Sequence, residues 1–90
     1  AAVLHMTRSQ ALEWGRYGIN VNAICPGYIR TEINAEHWET DAGRKLVAML
    51  PRRRVGDAAD LDGTLLLLVA EESQFINGAV IAVDDGMSVT

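Results

Sequence analysis

With 90 residues and a formal net charge of −4, the chain is the size of one small domain. Its content, 49% hydrophobic and 22% charged, excludes a disordered tail, and eight Gly with two Pro exclude a collagen-like or linker-like chain. The acidic balance argues against non-specific nucleic-acid binding, which needs spare Lys and Arg, and the longest apolar run, Leu65 to Ala70, is far short of the ~20 residues that span a bilayer.

A single cysteine, Cys25, rules out an internal disulfide and fits a reducing compartment, so the cytoplasm is the expected location. A domain this short buries only ~60–65% of its unfolded surface and is marginal alone. The chain opens Ala1-Ala2-Val3-Leu4 with no initiator Met and no charged n-region, as if in mid-element.

Residues 1 to about 17 predict a helix whose apolar stripe is Leu4, Ala11 and Trp14, widened by Val3 and Met6, with Gly18 as a left-handed terminator. Ile19 to Ile24 alternates apolar and polar residues and predicts a strand, which Pro26-Gly27 ends. Asn34 is placed to cap an amphipathic helix over 35–50, with Trp38, Ala42, Leu46 and Met49 on its apolar side and Pro51 as its stop. Asp57 is placed to cap a third helix over 58–70. Leu65 to Val69 covers nearly every face of that helix, which predicts that it is mostly buried or meets a partner. Gly63 lies inside it at a cost of ~1 kcal/mol, for which close backbone packing is the expected reason. Ala79 to Val83 is an apolar run suited to a strand buried on both faces.

The order is helix, strand, helix, helix, strand. Two buried-type strands cannot cover their own edges, and three helices present more apolar face than two strands absorb. The pattern predicts an α/β fold: the carboxyl-terminal part of a Rossmann-like, doubly wound parallel sheet, incomplete as it stands.

The residues also carry a family resemblance. Gly18-Ile19-Asn20-Val21-Asn22-Ala23-Ile24-Cys25-Pro26-Gly27-Tyr28-Ile29-Arg30-Thr31 resembles the sixth strand and following loop of short-chain dehydrogenase/reductases. Three further matches stand in family order: Ala1-Ala2-Val3 with Thr7-Arg8-Ser9 and Ala11-Leu12-Glu13; Arg54-Val55-Gly56-Asp57 leading into Leu61; and Phe75-Ile76-Asn77-Gly78 with Val80-Ile81, Val83-Asp84 and Gly86. Together they span essentially the whole chain, 1–90, as one segment of an NAD(P)-binding Rossmann domain. The resemblance places residue 1 directly after the family's Tyr-x-x-x-Lys motif. The catalytic Ser, Asn, Tyr and Lys and the nucleotide fingerprint would then lie upstream. Tyr17 and Tyr28 do not supply that Tyr, since Val21 and Glu32 stand where the Lys would be. No catalytic residue is assigned to this chain.

By the same resemblance, the loop Pro26-Gly27-x-Ile29-x-Thr31 would meet the nicotinamide end of NAD or NADP. The Ile29 main chain would pair with the carboxamide, and the Thr31 hydroxyl would bond the carboxamide or the nearby phosphate. A loop at the carboxyl end of a parallel strand lies in the usual ligand crevice, and Thr31 offers one donor and two lone pairs. The alternative is a plain strand-to-helix turn with Thr31 as a cap. Residues 35–50 correspond to the family's substrate lid, with His37 and Trp38 near the pocket; the simpler assignment has Trp38 packing the lid and His37 solvated.

No metal partner stands at ligand spacing from His37, and His5 is equally alone. Arg52-Arg53-Arg54 reads as a solvated basic turn and Cys25 as a small buried hydrophobe. Asp84-Asp85-Gly86 resembles the family's Asp-Gly-Gly with Asp85 in place of the first Gly.

The implied activity is hydride transfer between a nicotinamide and a carbonyl or secondary alcohol, in a homo-oligomer (dimer or tetramer) acting on a small molecule, without nucleic acid or membrane. The segment would supply the nicotinamide-side loop, the lid and assembly surfaces, and would be inactive alone. One alternative is a non-catalytic module that pairs with a full-length relative or a separate amino-terminal piece; another is epimerase or dehydratase chemistry on the same cofactor.

Overall fold

The computed structural model describes all residues from Ala1 to Thr90. It divides into two compact units, residues 1–25 with 63–81, and residues 26–62 with 82–90. Four α-helices, α1 (Ala2–Trp14), α2 (Ala35–Glu39), α3 (Asp41–Ala48) and α4 (Asp62–Val69), accompany four short strands, β1 (Ala23–Pro26), β2 (Ile29–Arg30), β3 (Gly56–Asp57) and β4 (Val80–Val83). The sheet order is β1–β4 and, separately, β2–β3. The Ala23 amide donates to the Ala79 carbonyl at 2.9 Å and the Gly27 amide to the Val83 carbonyl at 3.1 Å. Both partners advance together along the chain, so β1 and β4 run parallel. The β2–β3 pair is also parallel, with Ile29 opposite Gly56. The expected α/β class with a partial parallel sheet is therefore what the chain forms; β2 and β3 are additions to the expected element order.

In the first unit, α1 tightens into a 3-10 turn over Gly15–Tyr17 and stops at Gly18, whose φ of 75° is the left-handed conformation expected of it. The buried stripe differs from expectation. Thr7 and Ala11 are buried, whereas Val3, Met6 and Trp14 are exposed. Thr7 fits because its hydroxyl donates back to the Val3 carbonyl at 2.8 Å, which satisfies it without an outside partner.

The strand expected at Ile19–Ile24 forms instead at Ala23–Pro26. The alternating Asn residues account for the shift, because their amides take main-chain partners in place of a ladder. Asn20 Nδ2 donates to the Gln74 carbonyl, Asn22 Nδ2 donates to the Ile76 carbonyl, and Asn22 Oδ1 accepts from the Ala79 amide. Asn77 completes the set, accepting from the Val21 amide and donating to the Ala11 carbonyl. Gly78 beside it has φ 77°. β4 is half-buried, not buried on both faces.

α4 begins later than expected and, of the two alternatives for it, is not the buried one. Its first turn is 3-10, over Ala58–Leu61, and no residue of α4 is buried. Leu65, Leu66, Leu67 and Val69 are exposed. Nothing lies within 4 Å of where a Gly63 Cβ would stand, so close backbone packing does not explain that glycine within this chain.

In the second unit, the single helix expected over 35–50 is two helices broken at Thr40, whose ψ of 162° is extended. Thr40 makes the corner: its hydroxyl donates to the His37 carbonyl at 2.6 Å and accepts from the Gly43 amide at 3.0 Å, capping α3. The stripe breaks with the helix. Trp38 is buried, Leu46 is half-buried, and Ala42 and Met49 are exposed. Gly43 is buried, and a Cβ there would overlap the His37 carbonyl and stand 2.9 Å from Trp38 Cα.

Candidate functional site

The loop after β1 begins with a close approach. A Cβ on Gly27 would lie 2.9 Å from both Cα and Cβ of Asp84. Glycine is thus required at 27 by main-chain packing, independent of any ligand. Two residues on, β2 pairs with β3, and the Gly56 amide donates to the Tyr28 carbonyl at 2.8 Å. A residue flanked by that bond in a parallel pair turns its own N–H and C=O to the opposite edge. Ile29 therefore presents both main-chain groups away from β3.

Asn34 holds that edge. Its Nδ2 donates to the Ile29 carbonyl at 2.9 Å, and its Oδ1 accepts from the Thr31 amide at 2.6 Å. The Asn34 amide in turn donates to the Thr31 hydroxyl at 3.3 Å. Asn34 was expected to cap a helix, but its side chain makes no bond to the first turn of α2. The Oδ1 also accepts from Trp38 Nε1 at 3.3 Å. Trp38, 7% exposed, packs its ring 5.5 Å from that of Tyr28 and 4.9 Å from that of His37. The packing role for Trp38 and the exposed position of His37 match the simpler assignments made from sequence.

The four expected cofactor residues are not all brought to one surface. Gly27 and Ile29 line a cleft of about 400 Å³ whose other walls include Arg54, Asp60, Asp84 and Asp85. Thr31 lies instead on a shallow hollow with Arg30, Glu32, Ala35 and Ala58, and Pro26 is on neither surface. The charged groups on its walls are mainly acidic, which is unfavourable to a phosphate. No group of three or more His, Cys, Asp or Glu is arranged to hold a metal ion.

The acidic wall is organised by Asp84 and Asp85. The Ser88 side chain, with the Ser88 and Gly86 amides, holds the Asp84 carboxyl below the ordinary range against the opposing effect of desolvation. Asp85 is lowered chiefly by its hydrogen bonds to Arg54, with Arg52 adding a weaker attraction at 3.5 Å. Arg52 and Arg54 of the basic turn are thus paired with Asp85 while staying exposed to solvent. Asp85 has φ 55°, so the position where the family resemblance sets a glycine keeps a left-handed backbone.

Sequence reasoning missed Asn34 as a loop clasp, Tyr28 as the partner of Trp38, and the Arg54–Asp85 pair. The signal for Asn34 was the Thr31-x-x-Asn34 spacing, which suits reciprocal bonding between the two residues as well as it suits a helix cap.

Comparison with known proteins agrees with the fold. The sequence profile described as enoyl-(acyl carrier protein) reductase matches residues 1–88. L-rhamnose-1-dehydrogenase of Scheffersomyces stipitis is 39% identical over 90 residues, covering 99% of this chain and 35% of that protein. 2-Dehydro-3-deoxy-D-gluconate 5-dehydrogenase of Bacillus subtilis is 41% identical over 87 residues, covering 94% of this chain and 34% of that protein. A solved structure of a 4-hydroxyisoleucine dehydrogenase mutant complexed with NADH and succinate superposes with a TM-score of 0.89 at 28% identity, over 99% of this chain and 37% of that one. The chain thus spans about a third of the length of the curated relatives it matches. It belongs to the short-chain dehydrogenase/reductase family, in the part that the enoyl-(acyl carrier protein) reductase profile describes, and corresponds to the family's carboxyl-terminal portion.

Proposed function

We propose that residues 1–90 are the carboxyl-terminal segment of the Rossmann domain of an NAD- or NADP-dependent oxidoreductase, of the alcohol dehydrogenase or carbonyl reductase type. The observation that carries this is the Ile29 edge: a main-chain N–H and C=O turned away from β3, the carbonyl held by Asn34, which also accepts from the Thr31 amide. That donor set is neutral and two-sided, which suits a carboxamide better than a charged group. Pro26, Gly27, Ile29 and Thr31 would hold the nicotinamide end. Gly27 and Pro26 set the path of the loop, Ile29 offers its main chain, and Thr31 offers its hydroxyl. When bound, the nicotinamide supplies or accepts the hydride exchanged with a small carbonyl or secondary alcohol.

The relatives support this assignment. Those compared are named dehydrogenases, and one is complexed with NADH. Residues 35–50 would act as a lid that excludes water from the reacting carbons, its corner at Thr40 giving two short helices and not one rigid rod. The exposed apolar side chains of α4, together with Leu12 and Phe75, would be covered in a homo-oligomer or by the rest of the enzyme. No helix is long and apolar enough to cross a membrane. The free thiol of Cys25 fits a reducing, cytoplasmic setting.

The test is Thr31→Val in the intact enzyme, with NADH and NADPH affinity measured by nicotinamide fluorescence. Weaker binding of the preferred cofactor is expected; unchanged affinity would overturn the assignment of the loop. The isolated 90 residues are expected to show no dehydrogenase activity and no fluorescence response to NADH.

The exposed α4 face also favours a second function, a non-catalytic module that docks on a full-length relative or a separate amino-terminal piece. Sedimentation separates the two: a folded, active oligomer of intact enzyme supports the first, and an isolated chain stable only in a mixed complex supports the second.

A further inference from the structure

We infer that Asn34 is a positioning residue for the nicotinamide: it sets the main-chain edge that meets the carboxamide and couples that edge to the lid. This rests on assigning residues 26–31 to the nicotinamide end. One primary amide makes three side-chain bonds, to the Ile29 carbonyl at 2.9 Å, from the Thr31 amide at 2.6 Å and from Trp38 Nε1 at 3.3 Å. Its own backbone amide adds a fourth, to the Thr31 hydroxyl.

Each of these bonds has a consequence for the loop. The bond to Ile29 fixes the carbonyl on the edge that carries the Ile29 N–H, so both groups keep one orientation. The bond from the Asn34 amide occupies a Thr31 lone pair and leaves the hydroxyl proton to be directed outward. The bond from Trp38 ties the same oxygen to a buried ring that stands within α2 and packs on Tyr28, the residue before Ile29. Loop and first lid helix thus share one hydrogen-bonded hub. A shift of α2 strains the Asn34 oxygen and, through it, the Thr31 amide.

Asn34 lines neither the cleft that holds Ile29 nor the hollow that holds Thr31, so its effect must pass through those two residues. That distinguishes it from a general stabilising residue. Loss of the hub should weaken the nicotinamide end alone and leave the adenine and ribose-phosphate end unaffected. ADP-ribose, which lacks the nicotinamide, is the control ligand.

In the intact enzyme, Asn34→Ala is expected to weaken NADH (or NADPH, where preferred) about tenfold, as for loss of a well-made hydrogen-bond set. ADP-ribose (or its 2′-phosphate) should bind unchanged. Asn34→Asp retains the acceptor for Thr31 and Trp38 and removes the donor to Ile29. It should weaken the dinucleotide selectively while Trp38 emission stays native, and it decides the matter should Asn34→Ala fail to fold. Equal loss of both ligands in the folded variants would make Asn34 merely structural and overturn the inference. Unchanged NADH in the Asn34 variants, with weaker NADH in Thr31→Val, would overturn it while sparing the loop assignment. Unchanged NADH in all of them would remove both.

Discussion

Arg54 grips Asp85 with two parallel hydrogen bonds, Nε to Oδ2 at 2.7 Å and Nη2 to Oδ1 at 3.0 Å, although Asp85 sits at φ 55°. The fork explains how a non-glycine residue is accommodated there. Asp visits the left-handed region more readily than most residues, and a bidentate guanidinium adds directional attraction. Asp85→Gly should relieve the backbone and lose the fork, giving a small change in melting temperature. Asp85→Ala loses the fork and keeps the strain, so it should melt lowest. Asp85→Asn should fall between them. Arg54→Lys should lower the melting temperature in the Asp85 protein and hardly at all in Asp85→Gly. Thermal unfolding of the set, read as a double-mutant cycle, checks this; equal effects of Arg54→Lys in both backgrounds would remove the coupling.

Both carboxyls of this turn are held below the ordinary Asp range in the folded chain, Asp84 first by the Ser88 side chain and Asp85 first by Arg54. A depressed carboxylate binds its proton less readily when folded than when unfolded. Its stabilisation is therefore present above the ordinary Asp value of about 4 and is lost as pH falls through the lower folded value. Stability should decline on acidification below about pH 4. In Asp85→Asn the decline should be shallower, and Ser88→Ala should flatten it through Asp84. Because Asp85 and its arginine partners are in contact with solvent, added salt should reduce the Asp85 component. A pH series of urea midpoints on the three proteins is the measurement.

The sequence made the class of the fold legible because punctuation and hydrophobic runs are local properties. Gly18, Pro26-Gly27 and Pro51 all fall at or near ends of elements. The strand at 19–24 was misplaced because Asn20 and Asn22 alternate with apolar residues like a polar face, yet spend their amides on main chain more than fifty residues away. No period in the sequence carries that information. The break at Thr40 was likewise hidden, since Trp38, Ala42, Leu46 and Met49 keep helical spacing across it. Of the candidate site, the loop residues Pro26, Gly27, Ile29 and Thr31 are proposed through resemblance alone. The clasp by Asn34 was not legible, because the same residue at the same offset also suits a helix cap.

The corner between α2 and α3 should be brittle. Gly43→Ala introduces a Cβ against the His37 carbonyl and near Trp38 Cα, and backbone cannot rotate away as a side chain does. Overpacking of this kind costs about 1–3 kcal/mol. Thr40→Ala removes the cap on α3 and the bond to His37, at about 1 kcal/mol. Both should move Trp38 emission, since Trp38 adjoins the corner, and Gly43→Ala should do so more. Paired fluorescence and urea titrations check the order; a Gly43→Ala protein as stable as the parent would show that the corner yields without cost.

α4 permits a test in which the isolated chain and the intact enzyme should behave oppositely. A Cβ on Gly63 meets nothing within 4 Å, and the residue lies within the helix, so Gly63→Ala should stabilise the isolated chain by about 0.5–1 kcal/mol. Leu66, 66% exposed, should accept Leu66→Lys there with little change in stability. In the intact enzyme the proposed assembly covers this face. Leu66→Lys should then shift the sedimenting species toward smaller oligomers, and Gly63→Ala should lose its benefit wherever the covering element approaches the helix backbone. Calorimetry and sedimentation velocity on both forms give the comparison. If neither substitution distinguishes intact enzyme from isolated chain, α4 faces solvent in both, and its apolar surface is not an assembly surface.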